Sequence, residues 1–455
     1  MSTARKLFGT DGIRGVANIE PITAETALRL GRALTRYCRG RSVERPRIVV
    51  GRDTRRSGDM LERALTAGIC SAGGEPLLAG VLPTPAVAYL TRSLKADAGA
   101  VVSASHNPFQ DNGLKFFDAM GFKLADEAER DIERWVLHGD ASDLRVPAAA
   151  LGRAQAVDDA GRRYLEFLKN LLPRHVALKG MRVVIDCAHG AACGVGPELF
   201  RQLGADVVAI GVTPDGTNIN RDAGATHPEL LQNTVRAQHA HLGVALDGDA
   251  DRLIVADEQG EVVDGDEVLA MVAIDMLARG TLKQGTVVAT VMSNLGLELA
   301  LRERGARLVR VQVGDRYVVE EMRRHGYNLG GEQSGHLVLL DHSTTGDGLL
   351  AALAVVRLLI EQQQPLSVLK RAMTHLPQML LNVPVKVRRD LDDIVALQQA
   401  VAHVRAALNE RGRVLVRYSG TEPVVRVMVE GEDEETVRAY AEEIAAVIRA
   451  EKALT

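Results

Sequence analysis

Arg47-Ile48-Val49-Val50-Gly51 opens a pattern that the chain repeats. A polar loop follows, then a helical stretch over 59–72, then Gly73-Gly74 and a second apolar run. A short unbroken aliphatic run reads as a strand buried on both faces, and paired glycines stop a helix. Met181-Arg182-Val183-Val184-Ile185 opens a second unit, with a helix over 196–203 and a strand over 205–210. Thr286-Val287-Val288-Ala289-Thr290-Val291 opens a third, with a helix over 296–304, Gly305 as its stop and a strand over 307–311. Strand, helix, stop and strand in that order make a βα unit. Its threefold recurrence predicts an α/β protein with three related α/β domains.

The tail reads differently. Val383-Pro384-Val385-Lys386-Val387 alternates like a half-exposed strand. A helix over 391–409, strands over 413–416 and 424–429 and a last helix over 435–452 complete a small C-terminal α+β domain. A linker falls near 365–377, and the Ala- and Asp-rich stretch 147–159 and the turn at 257–260 mark the other boundaries. The domains expected are 1–155, 156–257, 258–372 and 373–455.

Composition narrows the function. At 455 residues the chain exceeds one hydrophobic core. Its net charge is only −4, with both signs mixed throughout, which leaves no nucleic-acid footprint and no polybasic membrane anchor. No apolar segment is long enough to span a bilayer, and residues 1–6 carry no signal-peptide core, so the cytoplasm is expected. Cys38, Cys70, Cys187 and Cys193 then read as reduced thiols. Cys187, His189 and Cys193 lack the complementary soft pair that a zinc site needs. Aromatic residues make up 3% of the chain, so no platform for stacking bases is visible.

Chemistry concentrates in loops. The buried run Ala98-Gly99-Ala100-Val101-Val102 delivers Ser103-Ala104-Ser105-His106-Asn107-Pro108. A hydroxyl at a strand end, beside a histidine and on a turning loop, is displayed as a nucleophile would be. An ordinary turn whose hydroxyls bond nearby backbone has the same composition. Leu242-Gly243-Val244-Ala245-Leu246 delivers Asp247-Gly248-Asp249-Ala250-Asp251-Arg252. Carboxylates at alternate positions can curl round one hard cation such as Mg²⁺. An EF-hand would need Gly where Arg252 stands and helices where strands are expected. Gly330-Gly331-Glu332-Gln333-Ser334-Gly335-His336 offers Glu332 and Ser334 to vicinal sugar hydroxyls. Arg417-Tyr418-Ser419-Gly420-Thr421-Glu422-Pro423, with Arg426 beyond it, has the make-up of a phosphate cradle. Phe8-Gly9-Thr10-Asp11-Gly12-Ile13-Arg14-Gly15 is glycine-rich but lacks the Gly-Lys-Ser/Thr ending of a P-loop.

Together these loops resemble the α-D-phosphohexomutases over essentially the whole chain. The Ser-His-Asn-Pro loop marks the superfamily. The Phe8–Gly15 stretch, Val313-Gly314-Asp315-Arg316-Tyr317-Val318 and Ser419-Gly420-Thr421-Glu422-Pro423 followed by Arg426-Val427-Met428-Val429-Glu430 point to its glucosamine branch. The resemblance implies four domains round a central cleft. It implies that Ser105 carries a phosphoryl group, with Ser103 a strand-end neighbour, and that Asp247, Asp249 and Asp251 hold one Mg²⁺ completed by the phosphoryl oxygen of Ser105. Glu332 and Ser334 would recognise sugar hydroxyls. Arg417, Ser419, Gly420, Thr421 and Arg426 would grip the phosphate that is not reacting. Arg14, Lys115 and Arg252 would surround the reacting phosphate, with His106 supporting the loop. Lys115 and His336 are the candidate general bases. The implied reaction isomerises glucosamine 6-phosphate to glucosamine 1-phosphate through a sugar 1,6-bisphosphate, which doubles as activator, and feeds UDP-N-acetylglucosamine and cell-wall precursors. Family members often form homodimers. One departure is Ala250, where the family usually has Gly.

Other readings stay open at the level of sequence. The same mechanism serves glucose or mannose phosphates. A Mg²⁺-dependent phosphatase would use Asp247 of the Asp247-Gly248-Asp249 pair as its nucleophile, although Asp251 stands where Thr or Val is expected. A non-catalytic sugar-phosphate sensor would keep the loops without turnover.

Overall fold

The computed structural model describes residues 7–9, 11–41, 43–138, 144–173, 175–419 and 423–451. They form two compact units, one of residues 1–292 and 308–371 and one of residues 293–307 and 372–455. The first unit carries the three α/β layers that the repeats predict.

In the first sheet the strands run in the order Ile13–Val16, Asp111–Asp118, Ala98–Val102, Arg47–Arg52, Glu75–Val81 and Gln155–Ala156. Arg47–Arg52 pairs in parallel with both Glu75–Val81 and Ala98–Val102. Every residue of Ala98–Val102 is buried, which is why it reads as an unbroken aliphatic run. The second sheet sets Arg182–Asp186 in parallel between Asp206–Ile210 and Leu242–Leu246. Leu253–Ala256 and Val262–Val263 extend it as antiparallel strands. The third sheet has the order Arg307–Val311, Thr286–Thr290, Leu329–Gly331, Leu337–Leu339.

The C-terminal unit holds an antiparallel sheet of Gln378–Pro384, Val424–Gly431 and Gly412–Tyr418. The helices Val395–Leu408 and Glu434–Ala450 cover it with a core that includes Leu397, Val401, Val404, Val437, Ile444 and Ile448. The helix Leu295–Glu303, expected as part of the third repeat, groups with this unit. Its Leu295 N–H donates to Glu430 Oε1 at 2.7 Å, and Glu430 is fully buried there.

Several expected elements move. The half-exposed strand expected at 383–387 lies at Gln378–Pro384, since Met379, Leu380 and Leu381 pair with the central strand although they do not alternate in polarity. The helix expected from 391 begins at Val395, after a 3₁₀ turn at Leu391–Asp393 that Asp390 caps. The linker expected at 365–377 contains the helix Leu366–Leu369. Asp257–Gly260 is a turn, as expected, and joins the last two strands of the second sheet, with Val255 and Ala256 paired to Val263 and Val262. Gln155–Ala156 adds an edge strand to the first sheet, inside the stretch read as a boundary. Among the described residues, no helix is long and apolar enough to cross a membrane, and the four cysteines are free thiols.

Candidate active site

Parallel strands direct their C-terminal ends toward one edge of a sheet, and the loops leaving those ends are where α/β folds place their chemistry. Four such loops meet here. Asp53–Arg55 leaves Arg47–Arg52, the Ser103–Pro108 loop leaves Ala98–Val102, Asp247–Arg252 leaves Leu242–Leu246, and Glu332–His336 leaves Leu329–Gly331.

Ser105 is 1% exposed and holds a left-handed backbone conformation, φ +52°. Its Oγ donates to Asp247 Oδ2 at 2.6 Å. Ser103 is used otherwise: its Oγ donates to Asp53 Oδ2 at 2.6 Å and accepts from Ser105 N–H at 3.0 Å. Of the two hydroxyls, therefore, only that of Ser105 reaches the acidic loop. His106 Nδ1 stands 3.4 Å from Ser105 Oγ, and burial together with Arg252 and Arg14 pushes its pKa down to about 4, so the ring is neutral.

The carboxylates of Asp247, Asp249 and Asp251 are all buried, and each offers an oxygen within 4.8 Å of the others. Strands flank this loop on both sides, which removes the EF-hand reading. Asp249 Oδ2 accepts from Thr84 Oγ1 at 2.6 Å and from Lys115 Nζ at 2.9 Å. Asp249 Oδ1 is buried with no hydrogen-bond donor, and Asp251 Oδ1 is buried with only His336 Nδ1 facing it, beyond hydrogen-bond distance at 3.6 Å. Burial, then Asp251 and Asp249, push the pKa of Asp247 up to about 8. Crowded like charges, orphaned buried oxygens and an all-oxygen donor set fit a hard divalent cation such as Mg²⁺. Ala250 sits at φ +57°, in the region that favours glycine, and its methyl group is fully buried.

Cations enclose this cluster. Lys115 is 1% exposed and also pairs with Asp11 at 3.0 Å and with Asp251 at 3.6 Å. Burial opposes its charge, but Asp11, Asp249 and Asp251 outweigh burial and raise its pKa, so it is an ammonium. Arg14 pairs with Asp11 and donates to Asn107 Oδ1 at 3.2 Å. Arg252 donates its backbone N–H to Asp247 Oδ1 at 3.2 Å, and its guanidinium feels Asp247, Asp251 and Glu332. His336 lies with Nδ1 3.6 Å from Asp251 and Nε2 3.3 Å from Asp315. Two influences on that ring conflict. Against the cost of burial, the carboxylates raise its pKa to about 9, yet the Gly346 N–H points at Nε2 from 3.0 Å and needs a lone pair there. The hydrogen bond decides for this geometry: the ring carries its proton on Nδ1, toward Asp251.

The Glu332–His336 loop docks on the second sheet. Leu253 N–H donates to Gly335 O at 2.9 Å, and Gly335, at φ +91°, has no room for a side chain, since a Cβ would lie 2.0 Å from Leu253 O. Glu332 Oε1 accepts from Gly314 N–H at 3.0 Å, and Ser334 is exposed. Two further glycines stack backbone on backbone beneath the serine loop. A Cβ on Gly248 would lie 2.5 Å from Ser105 O, and one on Gly190 would lie 2.3 Å from Gly248 O.

Arg417, Ser419 and Arg426 belong to the C-terminal unit. Arg417 and Arg426 are direct cross-strand partners, a like-charge pairing that costs stability unless an anion lies near. Burial and then Arg426 lower the pKa of Arg417. Ser419 is 1% exposed and its carbonyl accepts from Arg388 at 2.7 Å. Gly420 and Thr421 lie outside the described residues.

Sequence reasoning missed four residues that build the site. Arg55 is 1% exposed and donates to Ser105 O and Asn107 O, at 2.8 Å each. Asn220 Nδ2 reaches the same two oxygens at 2.9 and 3.0 Å. Lys123 bridges Asp11 and Asp315, both held below the ordinary carboxylate range although burial opposes it. Asp53 anchors Arg55 and Ser103. For Asp53 and Arg55 a signal existed, since Asp53-Thr54-Arg55 directly follows a buried parallel strand.

Family models for phosphoglucomutase/phosphomannomutase match in four parts: alpha/beta/alpha domain I over residues 5–143, domain II over 162–260, domain III over 264–376 and the C-terminal domain over 380–447. A curated protein of Anaeromyxobacter sp. (strain Fw109-5), "Phosphoglucosamine mutase", is 56% identical over 98% of this chain and 96% of its own length. A solved structure of a putative phosphomannomutase from Thermus thermophilus is 27% identical, with a TM-score of 0.79 over 98% of this chain and 100% of that one. The Aspergillus fumigatus N-acetylphosphoglucosamine mutase, solved with GlcNAc-6P and magnesium, shares the fold at 18% identity, with a TM-score of 0.67 over 99% of this chain and 96% of that one. A fourfold domain match, a full-length relative and a serine hydroxyl set against a buried acidic triad agree: the chain belongs to the phosphoglucosamine mutase family of the phosphohexomutases.

Proposed function

We propose that this chain interconverts glucosamine 6-phosphate and glucosamine 1-phosphate, with Ser105 as the phosphoryl carrier. The observation that carries the assignment to Ser105 is its Oγ, 2.6 Å from Asp247 in a buried triad of carboxylates. Phosphate monoesters resist uncatalysed cleavage, so the site must supply a large reduction in barrier. Asp247, Asp249 and Asp251 would hold Mg²⁺, which when bound offsets charge on the phosphoryl oxygens and stabilises the seryl oxygen as leaving group. Lys115, Arg14 and Arg252 place fixed positive charge where phosphoryl oxygens gain negative charge.

The phosphoryl group leaves Ser105 Oγ for O1 of glucosamine 6-phosphate, and the hydroxyl proton of the sugar passes to a base. Two nitrogens are candidates, Lys115 and His336; Lys115 serves only when its carboxylate partners loosen their hold, and His336 Nε2 only when it gives up the Gly346 N–H. The 1,6-bisphosphate then turns end for end, and Ser105 recovers the 6-phosphoryl group. Glu332 and Ser334 bind sugar hydroxyls in both orientations, and Arg417, Ser419, Gly420, Thr421 and Arg426 grip the phosphate that is not reacting. The reaction belongs to the cytoplasm and precedes UDP-N-acetylglucosamine synthesis.

Phosphopeptide mapping coupled to turnover tests this reading. A stable phosphoester on the Ser105 peptide, with kcat/KM highest for glucosamine 6-phosphate among hexose phosphates, is expected. A hydroxylamine-labile acyl phosphate on Asp247 would instead identify a phosphatase, and a preference for glucose or mannose phosphates would move the chain's specificity within the superfamily.

A further inference from the structure

Arginine is seldom fully buried, and when it is, its five donors must all find acceptors. Arg55 is among the largest fully buried side chains of the molecule. Its Nε donates to Asp53 Oδ2 at 2.8 Å. The rest of the guanidinium faces backbone oxygens of one loop: Ser105 O and Asn107 O at 2.8 Å, Asp111 O at 3.0 Å, and Pro108 O. Asn220 arrives from the second sheet's side, and its Nδ2 donates to Ser105 O and Asn107 O again. Two side chains from separate α/β layers thus saturate the same two carbonyls.

The consequence falls on Ser105. A non-glycine residue at φ +52° returns to the extended or right-handed region unless its neighbours prevent it. Such a return turns the Ser105 carbonyl and swings Oγ away from Asp247. Turning the carbonyl here would strip it of both Arg55 and Asn220. Asn220 sets a second constraint, because it ties the serine loop to the layer that carries Asp247, Asp249 and Asp251.

We infer that Arg55 and Asn220 are positioning residues that hold Ser105 in register with the acidic loop, so that the seryl oxygen keeps one place while giving and receiving the phosphoryl group. Neither touches the reacting atoms. The inference rests on the phosphoryl-carrier reading of Ser105 but not on the identity of the sugar.

The test uses Arg55→Lys, whose single ammonium cannot fork to four carbonyls, and Asn220→Ala, which leaves the Arg55 clamp and its buried charge intact. Each is compared with wild type in Ser105 labelling from ³²P-glucose 1,6-bisphosphate and in steady-state turnover of glucosamine 6-phosphate, normalised to folded protein by circular dichroism. Misplacement of a reacting group by about 1 Å costs on the order of 100-fold in rate. The expected result for Asn220→Ala is a loss approaching that size in both labelling rate and kcat, with KM for glucosamine 6-phosphate within about threefold of wild type. Arg55→Lys should lose at least as much, if it folds. Wild-type labelling and kcat in folded Asn220→Ala would overturn the inference, as would a loss confined to KM or to the folded fraction. If wild type labels on Ser105 but does not turn over glucosamine phosphate, the sugar assignment fails and the labelling rates alone decide the positioning role.

Discussion

Asp347 stands at the head of the helix Gly348–Gln362, and its substitution yields a stability change whose size depends on pH. Oδ1 accepts from Leu350 N–H at 3.0 Å, capping the helix, and from Tyr164 Oη at 2.8 Å. Oδ2 is buried with no partner, and the residue is 1% exposed. Burial raises its pKa from the ordinary 3.8 to about 6, against the opposing pull of those hydrogen bonds. A rise of roughly two units corresponds to about 3 kcal/mol. Because the folded state holds the proton more tightly, this contribution is fully present below pH 3.8 and is lost as pH rises through about 6. In Asp347→Asn the amide oxygen keeps both hydrogen bonds and nothing titrates. The new NH₂ replaces an oxygen without a donor, and leaving it unpaired costs about 1–3 kcal/mol at every pH. Hence the stability of the variant relative to wild type should rise by about 2 kcal/mol between about pH 4.5 and 8. Urea denaturation of both proteins across that range measures it. A difference that stays flat with pH, or that falls as pH rises, would refute the reasoning.

Ser105→Ala should abolish turnover and remove the phosphopeptide while leaving the circular dichroism spectrum unchanged; activity near wild type would sink the assignment. Asp249→Asn removes charge from the triad and weakens the anchor of Lys115 and Thr84, so Mg²⁺ affinity measured by calorimetry should fall by roughly 10-fold or more. Burial pushes the thiols of Cys38 and Cys193 up to about 12. Both should therefore resist iodoacetamide in native protein at neutral pH and react once it is unfolded, as peptide mapping would record. Ala250→Gly relieves a left-handed alanine at φ +57°, worth about 1 kcal/mol, against the greater flexibility that glycine gives the unfolded chain; the urea midpoint should hold or rise slightly, and a loss above about 1 kcal/mol would contradict this.

What could be read from the chain was whatever chemistry writes locally. Strands such as Ala98–Val102 and Leu242–Leu246 are buried on both faces, so they appear as aliphatic runs, and the loops leaving them carry Ser105 and Asp247. Arg55 shows the limit. The place of Asp53-Thr54-Arg55 after a buried strand marks a loop where chemistry can sit, but it does not separate a buried clamp from a solvated loop, because the acceptors of Arg55 stand about fifty residues away. Lys123 and Asp315, separated by 192 positions, meet only once the first and third layers pack. The strand Gln378–Pro384 escaped for another reason: it lies at a sheet edge with its residues half exposed, so its polarity does not alternate. The proton position on His336 was also out of reach, since it depends on the backbone N–H of Gly346, which folding brings to the ring.

The backbone stack of Gly190, Gly248 and Ser105 bears on how this protein can evolve. Any side chain at either glycine would collide with a carbonyl oxygen at 2.3 or 2.5 Å, and backbone cannot step aside as a flexible side chain does. Mutations there are closed to gradual exploration, so the serine loop and the acidic loop are inherited as one block. On the role proposed for Ser334, new sugar preferences would arise where the chain has freedom, at that exposed position. A library built to change substrate should spare the stack and spend its diversity on that loop.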